Sequence, residues 1–275
     1  MSETEGSYDE HFTAFVDLLG FAEASSRVDD TTRLKVLHLL MSMSELQGDF
    51  SKFTRPGEKA IVNAEIRPAI STFSDHIVIS WPLHQVTESV HNRRAALDAL
   101  NGFGRLLAKI AAQALQIGFL IRGGAAIEKL HHANRIVFGK AMVDAYNVES
   151  QSAVYPRVVV TYSAIERLNW ADQPGGLIKG RDGLWYIDYY GWMVGATATN
   201  GVRYADEGRA WFRDAVETIR RNLVHLEQTG RLKELAKCVW FCHEFRHSLE
   251  RSPALHSGFG ISLDSIPRPR VINYQ

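Results

Sequence analysis

The stretch FVDLLGF, residues 15–21, places one acid, Asp17, in an apolar run that begins at residue 12. A short apolar run that ends at a glycine turn predicts a buried strand. A carboxylate there is costly unless it is solvated, paired or bound to metal. A helical pattern extends from about residue 21 to 48, and the first amides of a helix can hold phosphate. Asp17 is therefore a candidate metal-site residue, with capping of that helix as the alternative.

A second acid, Asp75, lies in a predicted β-hairpin. The segments AEIRPAISTF (64–73) and HIVISWPL (76–83) flank the two-residue turn Ser74-Asp75. Aspartate is common in turns for backbone reasons alone, so Asp75 is informative mainly as a partner of Asp17. In a ferredoxin-like sheet the first strand is central, and the two carboxylates would converge at one end of it. Two carboxylates predict a site for Mg²⁺ or Mn²⁺.

The order of predicted elements supports such a sheet. It reads strand, helix, hairpin, helix, strand, strand, helix, strand, which predicts an α+β fold with a ferredoxin-like βαββαβ core. The break at Pro174-Gly175-Gly176 divides the chain into a domain over 1–170 and a C-terminal strand and helical extension over 171–275. We expect the extension to pack on the core or on a second subunit. Its aromatic run, residues 184–194, is strand-like, and residues 205–250 carry two helical patterns split at Gly230.

Composition excludes several classes of protein. The 275 residues carry 31 basic and 31 acidic side chains, and this balance argues against a protein that coats nucleic acid. Two cysteines exclude a disulfide scaffold and favour a reducing compartment. The polar, acidic N-terminus does not fit a signal peptide, and no apolar window is long enough for a membrane span. We therefore expect a cytoplasmic protein without a membrane partner.

Arg122, Gly123 and Gly124 follow an apolar triplet in a predicted strand. Glycine in a strand often permits the close approach of a ligand or another backbone. Arg122 is a candidate for bidentate binding of phosphate, and the alternative is a surface arginine beside a β-bulge.

Four segments in this order resemble the class III nucleotidyl cyclase catalytic domain, and within that superfamily the bacterial anti-phage Pycsar pyrimidine cyclases. They are FVDLLGF, FSDHIVIS (73–80), IRGGAAIEKL (121–130) and FGKAMVDAYNVESQSAVYPRVVV (138–160). The resemblance covers about residues 12–165. It implies a homodimer with active sites between subunits, a nucleoside triphosphate substrate and two Mn²⁺ or Mg²⁺ ions per site.

The resemblance also assigns roles to individual residues. Asp17 and Asp75 match the metal carboxylates. The backbone of Leu18 and of the Leu19-Gly20-Phe21 turn matches the segment that holds a metal and the triphosphate, and Phe15 borders the triphosphate. This chain lacks the arginine with which the purine cyclases stabilise charge in the transition state, and Arg122 is the first candidate to replace it, with Lys140 as the second.

Departures from the purine cyclases concern the base and the transition state. The two positions that read a purine hold Ser71 and Ile136, and those of an Asn and an Arg on the following helix hold Val143 and Asn147. A pocket narrowed by Ile136 favours the smaller pyrimidines. The resemblance then implies conversion of UTP to 3′,5′-cyclic UMP, a second messenger that acts on a downstream effector in anti-phage defence. The alternatives are a cytidylate cyclase and a nucleotide-binding module without turnover, because Asn147 stands where a stabilising arginine is expected.

A rival motif lies near the C-terminus. His243, Glu244 and His247 fit H-E-x-x-H, which on a helix can bind zinc with the glutamate as general base. No third ligand follows at the metzincin spacing, so a zinc peptidase is the remote alternative and a packing helix the expected one. His131 and His132 are expected in a surface loop.

Overall fold

A computed structural model describes residues 8–21, 30–45, 68–83, 89–134, 136–167, 176–193, 205–251 and 263–268. The strands in these ranges are β1 (Asp9–Leu19), β2 (Ala69–Phe73), β3 (His76–Pro82), β4 (Leu120–Ala133), β5 (Ile136–Phe138), β6 (Val158–Val160), β7 (Leu177–Lys179) and β8 (Trp185–Ile187). The helices are α1 (Asp30–Glu45), α2 (Ser89–Gln116), α3 (Lys140–Ser152), α4 (Tyr162–Arg167), α5 (Ala205–Gln228) and α6 (Leu232–Glu250), followed by a 3₁₀ turn at Leu263–Ser265.

The sheet confirms the predicted α+β class and the ferredoxin-like core. Its order is β2-β3-β1-β4-β6-β8-β7, and β5 pairs with the end of β4. β1 lies centrally between β3 and β4 and is antiparallel to both. The predicted hairpin is present, and its turn at Ser74-Asp75 has Ser74 in the left-handed region at φ 55°.

The two faces of the sheet differ in what covers them. Alternate residues of β1, including Phe12, Val16 and Leu18, join the main buried cluster, to which α2, α5 and α6 contribute. Phe15 points to the opposite face, where a smaller cluster with Ala145 lies under α3. We call this second side the α3 face. Because side chains alternate along a strand, Asp17 lies on the α3 face with Phe15.

The C-terminal part of the chain continues the same sheet and core. β8 pairs with β6, and α5 and α6 supply buried side chains to the main cluster. The prediction of a strand through residue 194 is wrong, because β8 ends at Ile187 and residues 189–193 are helical. Asp188 explains the change: its Oδ1 accepts a hydrogen bond from the Gly191 amide at 2.9 Å, as an N-cap residue does. No helix among the described residues has the length and apolar character needed to cross a bilayer.

Candidate metal and nucleotide site

The two predicted acids meet at one end of the α3 face. The amide of Leu18 donates a hydrogen bond to the carbonyl of Asp75 at 3.1 Å, which fixes the hairpin turn beside the end of β1. In the ladder, Asp17 stands opposite His76. Ligand atoms of Asp17, Asp75 and His76 lie within 4.8 Å of one another, the one such group of three among the described residues. The convergence expected from the sequence is present, and it includes a histidine that the sequence analysis did not single out.

Arg122 binds two acids on the α3 face. It stands opposite Asp17 in the β1–β4 ladder, and its Nε donates to Asp17 Oδ2 at 3.0 Å. Its terminal nitrogen lies 2.7 Å from Glu149 Oε1, and the side chains of Asp17 and Glu149 are only 12% and 5% exposed. Arg122 is therefore neither a free phosphate ligand nor a surface arginine in this structure. It neutralises two nearly buried carboxylates.

Gly124 explains how Glu149 reaches this position. A Cβ at Gly124 would lie 2.1 Å from the carbonyl oxygen of Ala145, so the missing side chain lets α3 sit directly on β4. The buried residues of α3, Ala141, Ala145 and Glu149, recur every four positions along its inner side. The glycine thus permits the approach of another backbone. Burial raises the pKa of Glu149, and the neighbouring charge of Arg122 opposes that rise.

His76 lies between the two aspartates. Its Nε2 is 3.9 Å from Asp17 Oδ1, and its Nδ1 is 3.2 Å from Asp75 Oδ1. The Nδ1 atom is buried and makes no hydrogen bond of acceptable geometry. The ring stacks on Phe73 with centroids 5.3 Å apart and contacts Phe15 at 4.9 Å. These contacts hold the imidazole plane fixed between the carboxylates.

The predicted base-reading residues form a separate group on the same face. Ser71 Oγ lies 2.8 Å from His132 Nε2, and Ser80 Oγ lies 2.8 Å from His132 Nδ1. The expectation of a surface loop at His131-His132 is wrong, since both belong to β4, which continues past its pairing with β1. Burial, with the charges of neighbouring histidines, lowers the pKa of His132 to about 4. Ile136 follows on β5 and is exposed.

The remaining predicted residues lie around these two groups. Phe15 is buried under the edge of Tyr146, and Leu19 ends β1. Gly20 has φ 97°, which glycine tolerates best, and Phe21, the last residue of this described range, is helical. Lys140 is exposed and pairs with Asp144 and Glu128, the first of which raises its pKa by a hydrogen bond. Asn147 is exposed on α3.

The H-E-x-x-H motif does not form a metal site in the described chain. His243 and His247 are exposed on α6, whereas Glu244 accepts a hydrogen bond from the Tyr186 hydroxyl at 2.7 Å. Burial is the main reason that the pKa of Tyr186 lies above its usual range, and the bond to Glu244 adds to it. The glutamate therefore ties α6 to β8, which agrees with a packing helix.

Three residues near the two predicted acids were not singled out from the sequence. His76 directly follows Asp75, and its proximity to Asp17 depends on strand register. Glu149 was signalled by the spacing Ala141-Ala145-Glu149, which predicts one inner helix face with an acid on it. Lys237 of α6 gave no local signal. Burial lowers its pKa most, the charge of Arg122 lowers it further, and Asp17 raises it.

Comparisons with known proteins were made for sequence and for structure. No family model matches the chain, and no curated protein matches it. The guanylyl cyclase domain of the RhoGC fusion protein from the aquatic fungus Blastocladiella emersonii has a similar structure: 12% identity, TM-score 0.41, over 67% of this chain and 98% of that one. Two structures of a bacterial light-regulated adenylyl cyclase, also 12% identical, give TM-scores of 0.39 and 0.38. The first match covers 78% of this chain and 59% of the cyclase, and the second covers 68% of this chain and 54% of the cyclase.

Proposed function

We propose that this chain is a class III-type nucleotidyl cyclase that converts UTP to 3′,5′-cyclic UMP and pyrophosphate. The observation that carries the proposal is the convergence of Asp17 and Asp75 beside the end of β1. Two carboxylates at one end of a sheet are the oxygen ligands that divalent cations bound to triphosphate require. The four ordered segments of the sequence point to the same activity.

The residues fit a divalent cation. Asp17, Asp75 and His76, whose buried Nδ1 makes no hydrogen bond, supply anionic and lone-pair donors in one place. When bound, Mn²⁺ or Mg²⁺ would lower the pKa of the ribose 3′-hydroxyl and neutralise the triphosphate. Asp17 and Asp75 would hold the ions, and the 3′-oxygen would attack the α-phosphorus as pyrophosphate leaves.

Arg122 and Lys237 have different roles in this proposal. Arg122 is engaged by Asp17 and Glu149, so it positions the Asp17 carboxylate. Lys237 is a half-buried cation of α6 whose pKa burial lowers and Asp17 raises, and we propose it as the candidate for neutralising charge on the leaving group. Asn147 stands where an arginine is expected and carries no charge, and Lys237 would supply the missing positive charge.

A homodimer completes the proposed site. Ser80, which binds His132, pairs with Thr13, four residues before Asp17 and thus about 13 Å away along β1. One chain therefore keeps its base-reading group and its metal group apart. Large apolar side chains on this side of the molecule are exposed in the single chain: Phe73, Ile136, Phe138, Val143 and Tyr146. A second copy covering them would place Ser71 and Ile136 of one subunit near Asp17 of the other.

Four triphosphates at equal concentration, with Mn²⁺ and product analysis by mass, test this function. Cyclic UMP as the main product supports the proposal, cyclic CMP supports the cytidylate cyclase, and tight binding without product supports the non-catalytic module. Asp17→Asn and Asp75→Asn should each lower product formation at least about 100-fold while the chain stays folded. Asp264→Asn, at an exposed carboxylate, is the matched control and should keep full activity.

The proposed biological role is synthesis of a second messenger for a downstream effector in anti-phage defence, in the cytoplasm. Cells that carry the chain with its effector should survive phage infection better than cells with the Asp17→Asn variant. Equal survival of the two would remove the defence role and leave the enzymatic proposal to the assay above.

A further inference from the structure

We infer that His76 is a third protein ligand of the metal ion, which makes this a mixed nitrogen and oxygen site that favours first-row transition ions over Mg²⁺. The inference rests on the proposed function for the presence of the ion. A metal site built from the two aspartates alone would not need His76, so the inference gives this residue a new role.

The first step is the arrangement of lone pairs. Each ring nitrogen of His76 faces a carboxylate oxygen, Nε2 facing Asp17 and Nδ1 facing Asp75. A neutral imidazole has one N–H, so its other nitrogen presents a lone pair. That lone pair faces a negatively charged oxygen, which is unfavourable unless a proton or a metal ion lies between them. Nδ1 lies 3.2 Å from Asp75 Oδ1 but without the geometry of a hydrogen bond, so a proton does not bridge this pair well.

The second step is distance. The 3.9 Å between His76 Nε2 and Asp17 Oδ1 is too long for a hydrogen bond. Two ligands that are each about 2.1 Å from one ion lie between about 3.0 and 4.2 Å apart, depending on their angle. The pair therefore has the spacing of two ligands of one ion. Because Arg122 takes Oδ2 of Asp17, Oδ1 is the oxygen that remains for metal and the one that faces the ring.

The third step is rigidity. Phe73 stacks on the His76 ring and Phe15 contacts it, and register fixes His76 opposite Asp17. The ring cannot turn away without losing these contacts, so its nitrogens stay directed at the carboxylates. Imidazole binds transition ions well, whereas Mg²⁺ prefers oxygen ligands in octahedral geometry. A fixed imidazole therefore selects the ion.

Pulsed electron paramagnetic resonance of the full chain with Mn²⁺ alone tests this directly. We expect echo modulation from a directly bound ¹⁴N, replaced by the ¹⁵N pattern when histidine is ¹⁵N-labelled. His76→Asn should abolish the modulation and weaken Mn²⁺ binding about tenfold or more, while Mg²⁺ binding changes less. His247→Asn, at an exposed histidine of the C-terminal motif, is the matched control and should keep both.

The outcomes separate this inference from the proposed function. Bound Mn²⁺ without nitrogen modulation, or modulation lost in His247→Asn and kept in His76→Asn, overturns the role of His76. If the His76 variant does not fold, bound Mn²⁺ without histidine nitrogen modulation in the unmutated chain still overturns the role of His76. Cyclic product without nitrogen coupling refutes only the His76 ligand, whereas coupling that depends on His76 without any cyclic product supports the ligand and removes the cyclase.

Discussion

Replacing Arg122 by methionine tests the charge arrangement on the α3 face. The change removes the hydrogen bond to Asp17 and the ion pair with Glu149, and it leaves two nearly buried carboxylates without their shared cation. Removing one partner from a buried ion pair costs about 3–5 kcal/mol. The Arg122 side chain is 25% exposed, so solvent screening reduces this, and we expect about 3 kcal/mol.

The assay is urea unfolding together with thermal melting at neutral pH. A loss of about 3 kcal/mol corresponds to a fall of about 6–12 °C in melting temperature for a chain of this size. Arg268→Met is the matched control, because Arg268 and Asp264 form an exposed pair that should contribute less than about 1 kcal/mol.

A double-mutant cycle with Glu149→Gln decides whether the two side chains act together. If Arg122 compensates Glu149, the double variant should be more stable than the sum of the single losses predicts, with a coupling energy of about 1.5–3 kcal/mol. Losses that add to within about 0.5 kcal/mol would refute the reasoning, because Arg122 and Glu149 would then contribute independently.

Three further predictions follow from individual contacts. Burial raises the pKa of Glu149, so the stability that this group contributes is fully present below its ordinary pKa of 4.5 and is lost as pH rises through the raised pKa. Over that window the unmutated chain should lose stability relative to Glu149→Gln. A difference in urea unfolding between the two that stays constant with pH would contradict the burial argument. Gly124→Ala should lower the free energy of unfolding by about 3 kcal/mol or more, because the new methyl group would push α3 away from β4. Gly183→Ala should lower it by about 1–2 kcal/mol, because φ is 82° there but the space around the residue is open. Equal losses would show that α3 moves away from β4 at little cost. Tyr186→Phe should cost about 1–2 kcal/mol of stability and leave cyclic product formation unchanged, and we expect both effects for Glu244→Gln as well. A loss of turnover in either folded variant would give the C-terminal motif a catalytic role.

The part of the site that the sequence predicts is the part fixed by local signals. Asp17 lies three residues before Gly20, the glycine that ends an apolar strand, and Asp75 lies in a two-residue hairpin turn. Both positions are known once the strand ends are known. The central place of the first strand in a ferredoxin-like sheet then brings them together.

The contacts that the sequence analysis missed depend on register and on distant segments. Arg122 meets Asp17 because β4 pairs with β1 in one register, and a slip of one residue would turn the arginine to the other face. Lys237 comes from α6, more than 200 residues after Asp17 in the chain. His132 was expected in a loop because two adjacent polar residues between strand patterns are typical of a loop. In the structure β4 continues beyond its pairing with β1, and both histidines are half-buried on it.

His132 cannot treat its two serine partners alike. With its pKa lowered to about 4 the ring is neutral near pH 7, so one nitrogen donates and the other accepts. One serine hydroxyl must therefore give its hydrogen to the ring, and the other keeps its hydrogen free for another acceptor. The ring tautomer sets whether Ser71 offers a lone pair or a hydrogen to what lies beyond it. Uracil and cytosine differ at their pairing edges by an exchange of donor and acceptor. A substitution at Ser80, on the far side of the ring, that changes the ring tautomer would thus reverse the hydrogen-bonding character of Ser71 without moving Ser71 itself.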